Sequence, residues 1–323
     1  MRPKVFVSQP VPQPAIDLLR ERCEVIAREE EGPLSPSDLR AAIADVDGLL
    51  CLLTDRIDAE VLAAAPRLKI VANMAVGYNN IDVAAATARR VAVTNTPGVL
   101  TETTADLAFA LILATMRRLG EAERFLRAGK WKYWSATLLL GSDVYGKTLG
   151  IVGMGAIGKA VARRARGFNM PLLYHNRKPD PAAEAELGAR YVSLDELLSQ
   201  ADIVTLHTPY TPETHHLIGA PELQRMKPSA FLINTARGAV VDEAALAEAL
   251  HAGTIAGAGL DVFEDEPRIH PRLLDAPNTV LLPHIGSASI ETRTAMATTA
   301  ARNILAALFG ERPPQLVNPE IYA

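Results

Sequence analysis

One stretch in the middle of the chain restricts its fold more than any other: Gly150-Ile151-Val152-Gly153-Met154-Gly155-Ala156-Ile157-Gly158. An apolar run, Leu149 to Val152, enters Gly-x-Gly-x-x-Gly directly, and a helix-favouring stretch, Lys159 to Arg166, leaves it. Strand, glycine turn and helix in that order form the dinucleotide-binding unit of an α/β sheet. Gly153 permits the tight turn, Gly155 lets backbone approach a pyrophosphate, and Gly158 lets the helix pack close to its strand. Ala156 and Ile157 open that helix, whose free N–H groups and positive dipole end suit an anion. A glycine-rich turn in some other α/β protein is the competing reading, and the flanking strand and helix weigh against it.

The next strand, Pro171-Leu172-Leu173-Tyr174-His175, ends at Asn176. A site for NAD usually places a carboxylate here, about 20 residues beyond the glycines, to bond the ribose 2′-hydroxyl. This chain has Asn176, Arg177 and Lys178 instead. No carboxylate repels a 2′-phosphate, Arg177 can grip one bidentately, and Lys178 adds a point charge. The expected cofactor is NADP(H) in preference to NAD(H), with NAD(H) use still open. The bland alternative is a solvated basic turn.

A length of 323 residues fits about two domains. The formal net charge of −4 offers nothing to nucleic acid or to an anionic membrane, so neither is an expected partner. Cys23 and Cys51 lie in apolar, strand-like contexts and read as buried thiols of a reducing compartment. The N-terminal apolar run, Val5-Phe6-Val7, is too short for a secretion signal, and Leu107 to Met116 is too short to span a bilayer. Cytoplasmic residence is the expectation.

Strand-like and helical segments alternate, which predicts α/β architecture with parallel sheets. Lys4–Ser8, Glu24–Ala27, Gly48–Leu53, Leu68–Met74 and Val91–Thr94 read as the strands of a first unit. Ser35-Pro36 marks a helix start, with Ser35 as N-cap. One long helix is expected from Thr101 to Ala128. Six strands follow, near Leu149–Val152, Leu172–His175, Ile203–His207, Phe231–Asn234, Ala256–Val262 and Val280–Leu282, the doubly wound count. The closing helix, Ser289 to Phe309, has no strands of its own to cover and is expected to return to the first unit. The expected layout is two Rossmann-like or flavodoxin-like domains with parallel, doubly wound sheets and a cleft between them. Residues 1–98 with 288–323 would form a discontinuous substrate domain, and 99–287 the dinucleotide domain.

Ligands of open α/β sheets lie beyond the carboxyl ends of the strands. Arg237, Glu266 and His284 each follow an expected strand there. A guanidinium can hold a carboxylate and polarise a neighbouring carbonyl. An imidazole delivers protons near neutral pH, and a carboxylate beside it stabilises the imidazolium. Reduction of a 2-oxo acid by hydride needs such a set. Taken singly, each has an ordinary reading: a capped Arg, a satisfied loop His, an acidic turn.

These residues, with several longer motifs, resemble the D-isomer-specific 2-hydroxyacid dehydrogenases, most closely their glyoxylate/hydroxypyruvate reductase branch. The carriers are Asn73-Met74-Ala75-Val76-Gly77-Tyr78-Asn79-Asn80-Ile81-Asp82, the Gly150–Gly158 turn, Asn234-Thr235-Ala236-Arg237-Gly238 with Val241-Asp242, Leu260-Asp261-Val262-Phe263-Glu264-Asp265-Glu266-Pro267, and Pro283-His284-Ile285-Gly286-Ser287-Ala288. The resemblance implies that Arg237 orients substrate, that Glu266 and His284 form the acid–base pair, and that the Val76–Gly77 backbone accepts the substrate carboxylate. It also implies cofactor contacts at Thr104, at His207-Thr208-Pro209 beneath the adenine ribose, at Thr235, Ala236, Arg237 and Asp261 near the nicotinamide, and at His284 and Gly286. A homodimer is implied, acting on a small 2-oxo or 2-hydroxy acid, with no metal.

Asn176 departs from the common acidic residue of the family, in line with NADP(H). Val76 stands where phosphite dehydrogenases carry Lys, and Glu266 where formate dehydrogenases carry Gln, so both branches are disfavoured. Lys130-Trp131-Lys132-Tyr133-Trp134 reads as core or interface anchors, and in the resembled branch a Trp of this loop reaches the partner's active site, making Trp134 the candidate. Two alternatives stay open: a dehydrogenase for bulkier 2-hydroxy acids, and a dinucleotide-sensing corepressor of the same fold.

Overall fold

The computed structural model describes residues 2–323 and divides into two compact units, one running to Leu100 and including Ser287–Ala323, the other Thr101–Gly286. The first unit holds five parallel strands: β1 (Lys4–Val7), β2 (Glu24–Ala27), β3 (Gly48–Cys51), β4 (Ile70–Asn73) and β5 (Ala92–Thr94). Their spatial order is β2-β1-β3-β4-β5. Strands β3, β4 and β5 are buried along their whole length, as a parallel sheet covered on both faces requires. Phe6, Leu49, Val71 and Val93 pack on one face with Leu39, Ile43, Val61 and Leu62. The helices Gln13–Arg20 and Ile290–Leu308 pack together, and the second also lies on β3 and β4. The closing helix therefore returns to the first unit as expected. Ser289 caps it by accepting the Thr292 N–H, and Ser35 caps Pro36–Ile43 through Asp38.

The second unit holds seven parallel strands, one more than expected: β6 (Leu149–Val152), β7 (Leu172–His175), β8 (Arg190–Tyr191), β9 (Ile203–Leu206), β10 (Phe231–Asn234), β11 (Gly257–Leu260) and β12 (Thr279–Leu281). The order is β12-β11-β10-β9-β6-β7-β8, so the winding reverses between β6 and β9. The additional strand, β8, is two exposed residues paired with Leu173 and Tyr174, too short and too polar to show a pattern.

The single long helix expected from Thr101 to Ala128 is two helices, Thr101–Met116 and Leu119–Arg127. Arg118 takes a left-handed conformation between them, with φ 55°. The Met116 carbonyl accepts from Ser142 at 2.8 Å, and Arg118 forms a two-pronged pair with Glu121 at 2.9 Å on each arm. The first helix buries Ala105, Ala108, Leu111 and Ile112 against β10 and β11, whereas the second buries nothing. Among the described residues no helix is long and apolar enough to cross a membrane. Cys23 and Cys51 are buried and unpaired.

Candidate active site

The carboxyl edge of the seven-stranded sheet is built around the turn after β6. Gly153 sits at φ 99°, and a Cβ there would lie 2.7 Å from the His207 carbonyl carbon and 2.8 Å from the Thr208 nitrogen. Only glycine combines that conformation with that approach. A Cβ at Gly158 would lie closer still, 2.3 Å from the Gly153 carbonyl oxygen. Gly155, by contrast, faces open space. It is also the N-cap of the helix Ala156–Arg166 and carries no side-chain cap, so the first N–H groups of that helix, beginning at Ala156 and Ile157, are left to an anion.

Asn176 lies beside this turn, where its Oδ1 accepts the Met154 N–H at 2.7 Å. An amide here braces the glycine turn, a task the sequence pattern did not reveal. Arg177 and Lys178 are exposed and form no ion pair among the described residues. The Thr211 hydroxyl holds the Glu213 carboxyl below its usual range, with a smaller contribution from nearby Arg177.

The segment after β9 carries His207, Thr208 and Pro209. His207 Nε2 pairs with the Thr205 hydroxyl at 2.9 Å, and burial pushes its imidazole down to about 4, so the ring is neutral near pH 7. The Thr208 and Thr235 hydroxyls are buried with no hydrogen-bond partner among the described residues. Buried polar atoms are rarely left so. Two orphaned hydroxyls, an uncapped helix start and an open glycine at one sheet edge fit a bound dinucleotide.

Three further turns leave β10, β11 and β12. After β10, buried Asn234 ties the turn by accepting the Ala236 N–H at 3.0 Å and donating to the Arg237 carbonyl at 2.9 Å. Gly238 then presses against the next turn: a Cβ would fall 1.8 Å from the Phe263 carbonyl carbon. That approach puts the Arg237 turn directly against the Glu266 turn. Burial lowers the Arg237 pKa, and Glu266 opposes the shift. The Arg237 side chain also donates to the Ala236 carbonyl at 2.6 Å.

After β11, Glu266 Oε1 accepts the Phe263 N–H at 3.0 Å, and Glu266 Oε2 lies 2.7 Å from His284 Nδ1. Burial favours the neutral acid, but His284, the Phe263 N–H and Arg237 outweigh it and hold the Glu266 carboxyl below its usual range. His284 adopts φ 54°, an uncommon conformation for a non-glycine residue. Asp261 holds it there. Its two oxygens accept the Ile285 and Gly286 N–H groups at 2.7 Å each, and its carbonyl accepts from His284 at 2.9 Å. Burial raises the Asp261 pKa. Gly286 leaves little room for a Cβ, with Asp261 at 3.1 Å and Thr104 behind it.

Arg237, Glu266 and His284, expected from sequence, thus stand at one edge of one unit, with Thr104, Thr235, Ala236, Asp261 and Gly286 around them. Two supporting roles are visible only in the fold. Asn234 shapes the Arg237 turn, and Glu243, 6% exposed, accepts N–H groups from Glu264 and His270. Asn234 is a polar residue closing an apolar strand, which was the available signal, whereas Glu243 opens the helix Glu243–Ala252 with nothing to set it apart.

Val76 and Gly77 belong to the first unit, after β4. Asn95 donates to the Val76 carbonyl at 2.8 Å and Asn73 to the Gly77 carbonyl at 2.9 Å. Both carbonyls of this loop are thereby held by side-chain amides of the same unit. Trp134 is 79% exposed, with Trp131 and Tyr133 beside it also exposed, which removes the core reading of these aromatics within one chain.

A doubly wound sheet with this edge chemistry defines a nicotinamide-dependent oxidoreductase class. Residues 109–286 match the family model described as "D-isomer specific 2-hydroxyacid dehydrogenase, NAD binding domain". The chain belongs to that family and is an oxidoreductase. It is 53% identical over 325 residues to a glyoxylate reductase of Thermococcus onnurineus, covering 99% of this chain and 97% of the relative. Among solved structures, a Thermus thermophilus protein superposes with TM-score 0.93 at 48% identity, covering 97% of this chain and 99% of that one. An NADPH-dependent glyoxylate/hydroxypyruvate reductase of Sinorhizobium meliloti, in complex with NADP and malonate, superposes with TM-score 0.87 at 38% identity, covering 98% and 97%.

Proposed function

We propose that this chain reduces small 2-oxo acids with NADPH, taking glyoxylate to glycolate and hydroxypyruvate to D-glycerate. The observation that carries this reading is the 2.7 Å His284–Glu266 pair held against Arg237 at the sheet edge. When bound, the nicotinamide supplies a hydride to C2 of the oxo acid. Arg237 anchors the carboxylate and stabilises charge developing on the carbonyl oxygen. His284 Nδ1 is committed to Glu266, so Nε2 donates the proton to that oxygen. Glu266 stays ionised and steadies the imidazolium before transfer. One hydride on carbon and one proton on oxygen complete the hydroxy acid. Asp261 acts through position, by holding the His284 turn. The Val76–Gly77 backbone is proposed as a further acceptor of the substrate carboxylate, on the family resemblance.

The NADPH preference is supported by two exposed cations after β7 and by the absence of a carboxylate at positions 176–178. The S. meliloti relative, crystallised with NADP, points the same way. Comparison of KM for NADPH and NADH tests it, together with an Arg177→Ala, Lys178→Ala double variant. The variant should raise KM for NADPH by about tenfold or more, the scale of a charge-assisted hydrogen bond, and leave NADH nearly unaffected. A clear NADH preference in the wild type overturns it.

Turnover across glyoxylate, hydroxypyruvate, pyruvate and phenylpyruvate tests the substrate. Faster turnover of phenylpyruvate would favour a dehydrogenase of bulkier acids, and cofactor binding without turnover would favour a sensor. We further propose a homodimer, supported by the exposed Trp131, Tyr133 and Trp134. Trp134→Ala should alter either dimerisation or the substrate profile, and a variant unchanged in both ends the idea. Buried unpaired thiols and a net charge of −4 support action in the cytoplasm without nucleic acid or membrane partners.

A further inference from the structure

A second cluster of side chains shares the turn after β11 with Glu266 but includes neither member of the acid–base pair. His215, His216 and Glu264 each offer one ligand atom, all within 4.8 Å of one another. His216 Nε2 lies 2.7 Å from Glu264 Oε1. The His215 and His216 rings stack with centroids 3.9 Å apart and planes at 22°. Tyr210 Oη approaches His215 Nδ1 at 3.5 Å. Both backbones are fixed independently of the cluster. The His216 N–H donates to Ala239 at 2.8 Å, and the Glu264 N–H donates to the Glu243 carboxylate.

We propose that these three residues bind one divalent transition metal ion of the imidazole-preferring kind, such as Zn²⁺ or Ni²⁺. The donor set decides the class. Two imidazoles and one carboxylate suit zinc and nickel, whereas magnesium and calcium favour oxygen ligands throughout. Zinc–ligand bonds of about 2.0–2.2 Å put tetrahedral ligand atoms about 3.4 Å apart. The longest separation here therefore closes by under about 1.5 Å, and the two stacked rings must also tilt apart so that both nitrogen lone pairs meet one ion, a rotamer change of partly exposed side chains. Water completes the shell on the exposed side.

The ion would join two segments that the fold keeps separate in sequence. His215 and His216 end the segment after β9 that begins with His207, Thr208 and Pro209, and Glu264 belongs to the turn after β11 that carries Glu266. Its role is a clip between those segments, and it takes no part in the proposed reaction.

The test uses the full-length protein, freed of metal with a chelator and titrated with Zn²⁺ or Ni²⁺ alone. Calorimetry should show one ion bound per chain, and the melting temperature should rise with occupancy. His216→Ala should abolish both effects. His215→Ala and Glu264→Gln should each weaken binding by about tenfold or more. All three side chains are at least partly exposed, so the metal-free variants should melt like the wild type, and these melts check folding. If His216→Ala does not fold, the other two variants carry the same test. No saturable binding at micromolar metal, or binding undiminished in the folded variants, overturns the site.

Discussion

In the N-terminal sheet, side chains bridge the carboxyl ends of β1 and β3. Ser8 Oγ donates to Asp55 at 2.5 Å, Gln9 Nε2 donates to the same carboxylate at 3.0 Å, and the Leu52 N–H donates to it at 2.8 Å. Asp55 is 1% exposed. In the seven-stranded sheet the matching ends, of β6 and β9, meet through glycine and backbone, with open space at Gly155 and an orphaned hydroxyl on Thr208. Both sheets are parallel, and both reverse their winding at these strands. Topology provides a crevice in each case. Residue chemistry then decides whether the protein fills it with its own polar network or leaves it for a ligand.

The largest effect should come from His284→Ala, which is expected to cut turnover of glyoxylate roughly 10²-fold or more in an NADPH-consumption assay. Near-normal turnover would remove the proposed acid. On the filled side, Asp55→Ala strands the Ser8, Gln9 and Leu52 donors, and should cost about 3 kcal/mol in denaturant-monitored stability. NADPH binding to the other sheet should be unchanged. An unchanged midpoint would mean that the Asp55 network does not hold its sheet edge together.

On the open side, two glycines should behave oppositely. Gly153→Ala meets backbone at under 3 Å and should destabilise by roughly 1–3 kcal/mol. Gly155→Ala meets nothing, so melting should be normal while NADPH affinity, read by fluorescence titration, falls. Equal melting losses in both would dispute the open crevice.

The smallest expected effect concerns pH. The Glu266 pKa is depressed in the folded chain, so its stabilising contribution is present above the ordinary carboxylate range and is lost as pH falls through the folded value. Glu266→Gln should flatten that part of the acid limb of stability. The effect is modest because the side chain remains 30% exposed and water screens the pair. An unaltered acid limb would refute the assignment.

Much of this was legible in sequence because it is written in local spacing. The strand before Gly153, the N-cap at Ser35 and the three polar residues following β10, β11 and β12 each depend on a few neighbours in the chain. The break at Arg118 was not legible, since it depends on Ser142, more than twenty residues away, capturing the Met116 carbonyl. The hydrogen bond from the Met154 N–H to Asn176 joins residues far apart in the chain, and only the pairing of β6 with β7 brings them together. Gly238 lay inside a quoted motif, but its closeness to Phe263 has no counterpart in the sequence order.

Strand, turn and helix preferences are short-range, so the α/β class, the glycine turn and the placing of Arg237, Glu266 and His284 after strands can be read from the order of residues alone. The fold is what brings Glu266 to 2.7 Å from His284, sets Asp261 beneath the His284 turn, and fills the β1–β3 switch point with side chains. Those outcomes depend on long-range strand order, which brings together residues whose spacing along the chain says nothing of their distance in space.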